Sequence, residues 1–101
     1  MIFRRHRFGD LVRRQLDLFE DDEAELLQEA DTAVRAYDAA EREEAEEAYG
    51  DYQLVLESVV ESLEELRDTY GRTLDDDSRE AYERTFDRAA RKRFPTLTAA
   101  L

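Results

Sequence analysis

The chain has 101 residues, 42% of them charged, with a net charge of −12 and no cysteine. These values bound it to one domain and exclude a disulfide framework and thiolate chemistry. No apolar run reaches the length of about 18 residues that a membrane span needs, and the opening stretch MIFRRHRFGDLV is basic without an apolar core segment, so it is not read as a secretory signal and a cytoplasmic location is expected.

So high a charge density can leave a chain disordered. Here the apolar residues are periodic, Gly and Pro number three and one, and Ala, Glu, Leu and Arg dominate. The expectation is an all-α domain with a thin core. Charge is distributed unevenly. Residues 1–14 hold five Arg against one Asp, and residues 88–101 hold three Arg and one Lys with no acid, which leaves −20 on residues 15–87.

The first predicted helix reads GDLVRRQLDLF, with Phe8, Leu11, Val12, Gln15, Leu16 and Phe19 on one face and Asp10 as a candidate N-cap. The acidic cluster EDDE at 20–23 ends it, and Asp21 or Asp22 is placed to cap the next helix.

A long central helix is expected over about 22–70, on the order of 70 Å long at 1.5 Å per residue. Leu27, Ala30, Val34 and Tyr37 form one apolar group. Ala45, Ala48, Tyr49 and Tyr52 form a second, and Val55, Leu56, Val59, Val60, Leu63, Leu66 and Tyr70 a third. All three fall within one arc of about 140° when Gly50 counts as an ordinary helical residue. Leu54 lies on the opposite side. The alternative is a break at Gly50, with Tyr49-Gly50-Asp51 as a C-cap glycine followed by an N-cap aspartate. Against it, Glu46 and Glu47 would then sit in a last turn, where the helix dipole disfavours acids. Ala48-Tyr49-Gly50 has the glycine but not the tryptophan of the Trp-x-Gly turn in small secreted helical hairpins, and no such resemblance is drawn.

Gly71 closes the long helix. Thr73 with Asp76, or Asp77 with Glu80, is placed to form a capping box. The last helix carries Tyr82, Phe86, Ala89 and Phe94 and stops at Pro95, so 1–7 and 95–101 are expected to be loose termini. The first helix is expected to fold back on the N-terminal half of the central one, and the last helix on its C-terminal half. A stripe so long with short partners leaves apolar surface uncovered, so a homodimer, antiparallel in arrangement, is expected.

No catalytic constellation is visible, and no enzyme activity, cofactor or metal is expected. His6 is the single histidine, so the Glu-x-x-His pairs of a di-iron bundle are absent, and Asp75–Asp77 lacks the spacing of a calcium loop. The glutamates at 41–47 read as a solvated face. Two surfaces stand out. Arg4, Arg5, Arg7, Arg13 and Arg14 with Arg91, Lys92 and Arg93 form a candidate anion or nucleic-acid patch. The competing explanation is ordinary ion pairing and dipole complementation. Tyr37, Tyr49 and Tyr52, with Val55 and Val59, form a candidate interface stripe.

The expected function is therefore a non-enzymatic interaction or scaffold role, docking an unidentified protein through the apolar and tyrosine stripe and the charged faces. The alternative is a small nucleic-acid-associated regulator using the arginine-rich ends, opposed by the overall acidity. A secreted helical-hairpin factor would require a turn at Gly50.

Overall fold

The computed structural model describes residues 7–99. Among the described residues it is all-helical, with 81% of them in four helices and no strand. They are α1 (Gly9–Asp22), α2 (Ala24–Ala39), α3 (Ala45–Gly71) and α4 (Asp76–Arg93).

α1 buries Val12, Leu16 and Phe19, which recur at helical spacing. The acidic cluster interrupts it but does not turn the chain. Glu23 leaves helical geometry at φ −108° and ψ 28°, yet its N–H donates to Phe19 O at 2.8 Å and its carbonyl accepts from Leu27 N at 2.9 Å. α2 therefore continues α1 across a one-residue irregularity. The apolar stripe explains why, since Phe19 is followed by Leu26, Leu27 and Ala30 in the same core. Neither Asp21 nor Asp22 caps α2, whose N-cap is Glu23 without a side-chain bond. α1 does not fold back on α2. It lies against the C-terminal half of α3 and against α4.

The expected continuous helix over 22–70 is divided at residues 40–44, and Gly50 is not the place. Gly50 sits inside α3. Ala40 adopts an extended conformation, φ −66° and ψ 135°, Glu44 N returns to Glu41 O at 2.9 Å, and α3 begins at Ala45. Charge rationalises the position. Glu46 and Glu47 fall in the first turn of α3, where the dipole favours them, rather than in mid-helix. Packing supplies the larger drive. Folding back sets Leu27 and Ala30 of α2 in one core with Val55 and Val59 of α3, and each fully buried Val or Leu contributes roughly 1.5–3 kcal/mol.

α4 begins at a cap the sequence reading missed. Asp75 Oδ1 accepts from Ser78 N at 2.9 Å and Asp75 Oδ2 from Ser78 Oγ at 3.2 Å. The backbone bond from Ser78, then its hydroxyl, hold the Asp75 carboxyl below its usual pKa. Phe8 meets Tyr82 and Phe19 meets Phe94, with ring centroids 5.5 and 5.9 Å apart, so α1 and α4 run parallel. Tyr70 meets Tyr82 at 4.8 Å and Arg67 Nη1 donates to Asp87 Oδ1 at 2.9 Å, so α3 is antiparallel to both. Burial works against the charge on Arg67, but its bonds to Asp68 and Asp87 outweigh that and raise its pKa. α4 approaches α3 closely at Gly71, where an added Cβ would lie 3.3 Å from Glu83 Oε2.

Segment 95–99 is not loose. Thr98 is fully buried and donates to Phe94 O at 2.6 Å, while Leu97 packs on the core. Residues 1–6, 100 and 101 lie outside the described residues. The molecule measures 55 × 22 × 21 Å, shorter than the roughly 70 Å of an unbroken central helix. It is a three-helix head (α1, α4 and the C-terminal half of α3) with a two-helix arm (α2 and the N-terminal half of α3).

Candidate interaction surfaces

The parallel pairing of α1 and α4 sets Arg7 beside Ser78 at the start of α4 and Arg93 beside Asp17 and Glu20 near the end of α1. The two basic ends therefore stay apart and, among the described residues, only Arg13 approaches the second. Arg13, Lys92 and Arg93 line one shallow recess between the helices. Half of the described basic side chains of the candidate patch are already engaged. Arg93 Nη1 donates to Asp17 Oδ1 and Glu20 Oε1, each at 2.7 Å. The bond to Asp17 leads in raising its pKa. Arg13 pairs with Asp10 one turn away. Arg7 donates to Ser78 Oγ at 2.8 Å and stacks over Phe8 at 5.0 Å. Arg14, Arg91 and Lys92 are exposed. Arg4 and Arg5 lie outside the described residues.

The hairpin brings the stripe tyrosines together near the tip of the arm. Tyr37 stands 5.4 Å from both Tyr49 and Tyr52, and those two stand 6.3 Å apart. Tyr37 and Tyr49 are 36% and 47% exposed, an unusual display for rings that already touch one another. Gln53 Nε2 donates to Tyr49 OH at 2.7 Å. Val59, expected with them at an interface, is fully buried in the chain's own core, and Val55 is half-buried.

A third surface was not anticipated. Between α2 and α3 runs an open groove of about 510 Å³, with Ala33, Ala36, Ala40, Ala48 and Val55 as its floor and Glu29, Glu44, Glu47 and Asp51 at its edges. A second recess, between α1 and α3, is lined by Leu18, Phe19 and Leu66 together with Asp22, Glu23 and Glu65. On α3 the lining positions 48, 51 and 55 recur as 62, 66 and 69 at helical spacing, so both recesses lie on one face. That face is rotated well away from the one carrying Arg67, Tyr70 and Gly71, which meets α4. The sequence signal was present in alanines at 33, 40 and 48 with acids three or four residues away, and in Ala36 between the first two. It is hard to read because alanine serves equally as a neutral helix former.

Among the described residues no group of three or more His, Cys, Asp or Glu is disposed to hold a metal ion, and no helix is long and apolar enough to cross a membrane. No protein-family model matches the chain, and no curated protein or solved structure shows detectable similarity to it.

Proposed function

We propose that this chain is a non-enzymatic helical interaction protein that works inside the cell and docks a partner protein on its two-helix layer. The observation that carries the reading is the uncovered groove between α1–α2 and α3. On one side α4 closes the layer, whereas on the other none of the described residues forms a covering element, and Leu18 stays 60% exposed there. Leu54 and Tyr49, 65% and 47% exposed, add apolar surface on the arm.

The expected homodimer loses part of its motive, because the hairpin covers from within the chain much of the stripe assigned to a second copy. The nucleic-acid reading gains from the juxtaposition of Arg13 and Lys92 and loses from the engagement of Arg93 by two carboxylates.

Tagged purification from the source cell, with and without nuclease, tests the reading. A stoichiometric protein that survives nuclease and is lost with Ala36→Trp supports it. Nucleic acid that co-elutes and is lost at moderate salt favours the arginine-rich ends instead. Sedimentation of the pure chain reads self-association directly.

A further inference from the structure

We infer that the groove's occupant is a cationic amphipathic helix of a partner protein, lying along α3 on the face opposite α4; this rests on the interaction reading above. Three observations point to that chemistry.

The first is shape. The two recesses run end to end along α3, one lined by residues 44–55 and the other by residues 62–69, a span on the order of 38 Å at 1.5 Å per residue. Two antiparallel helices present a furrow that a third helix fills by ridges-into-grooves packing. α4 already fills the corresponding furrow on the other side of the head. The alanine floor at Ala33, Ala36 and Ala48 admits a close helical backbone, and Leu18 and Leu66 offer larger apolar contacts at the head end.

The second is charge. The two recesses are lined by seven carboxylates and no basic residue. Their edges therefore match a helix with a narrow apolar stripe flanked by Lys or Arg. Nucleic acid and anionic lipid carry the wrong sign for this face.

The third is the argument against a second copy. Residues 24–60 hold eleven Asp and Glu against two Arg, a net charge of −9. Among the described residues the arm contains a single ion pair, Arg35 with Asp31 at 3.1 Å. Arm-to-arm packing sets two such surfaces against each other, whereas a cationic helix neutralises one.

The probe is a synthetic peptide of about 21 residues, long enough for most of the groove, with Leu and Ala on one face and Lys on the others. Two controls are a scramble of the same composition and a version with Glu in place of Lys. Fluorescence anisotropy against the full chain should show micromolar binding of the amphipathic peptide. Binding should weaken at least tenfold with Ala36→Trp, which plugs the floor at an exposed position. It should weaken similarly with Glu44→Gln, Glu47→Gln and Asp51→Asn combined, while Arg14→Ala on the head leaves it unchanged. Thermal melts establish that each variant folds. Equal binding of the scramble, indifference to both groove variants, or a dimer abolished by Ala36→Trp overturns the inference.

A photo-reactive residue in the source cell at position 36 or 48, both lining the groove, separates this inference from the broader reading. Capture through a basic amphipathic segment supports both. Capture through a neutral or acidic segment overturns the inference and leaves the interaction reading standing. An arm that captures nothing overturns both.

Discussion

The Tyr82 hydroxyl donates a 2.8 Å hydrogen bond to Gln15 Oε1 across 67 residues of sequence. It pins α4 to α1 inside the head, where Tyr82 is fully buried and its ring touches Phe8, Tyr70 and Phe86. Removing the hydroxyl with Tyr82→Phe leaves the rings in place and should cost about 1 kcal/mol. Tyr82→Ala opens a cavity and should cost about 3–5 kcal/mol, read by urea denaturation.

The same residue sets a response to alkaline pH. Burial pushes its pKa up to about 12, above an unfolded value near 10. The folded state therefore holds the proton more tightly. Its contribution is complete below about pH 10 and is lost as pH rises through the folded pKa, on the order of 2–3 kcal/mol in all. Tyr82→Phe should flatten the fall in stability between those two values, and an unchanged slope would assign it to other groups.

Acid acts at the other end of α4. Asp75 has a lowered pKa because it caps Ser78, so its contribution is present above the unfolded value and is lost as pH falls through the folded one. Asp75→Asn retains an acceptor and should remove part of the acid dependence. Asp75→Ala should lower the melting temperature as well.

Arg93 joins α4 to α1 through Asp17 and Glu20. Both acids are substantially exposed, so Arg93→Ala should cost only about 1 kcal/mol, and the difference should shrink in high salt.

Gly50 is helical and an added Cβ would meet nothing within 4 Å. Gly50→Ala should stabilise the chain by roughly 0.5–1 kcal/mol. A clear loss of stability would instead require a turn at this glycine.

Much of the head was legible in the sequence. Val12, Leu16, Phe19, Tyr82 and Phe86 stand at helical spacing and are all buried, and Leu54 was placed correctly on the exposed side. The turn at 40–44 was not legible, since no Gly, Pro or Asn marks it. The apolar stripes of α2 and α3 also share a phase. That agreement carries no information about continuity, because each helix needs its own stripe and the turn length sets their relation. Asp75 was not legible as a cap because a capping box carries a Glu or similar acid three residues on, and here that position holds Ser78. Of the candidate site, the tyrosine trio was legible as a set, but its assembly at the tip depends on the turn. The approach of Arg13 to Lys92 depends likewise on α1 continuing into α2 instead of folding back.

Without the turn at 40–44 there is no two-helix layer and no groove. The chain has no native cysteine, so spin labels at Thr32→Cys and Asp51→Cys report one distance cleanly. Both positions line the same recess. The hairpin predicts a separation under about 20 Å, whereas a helix running unbroken between them would place the labelled positions about 28 Å apart and would contradict the account.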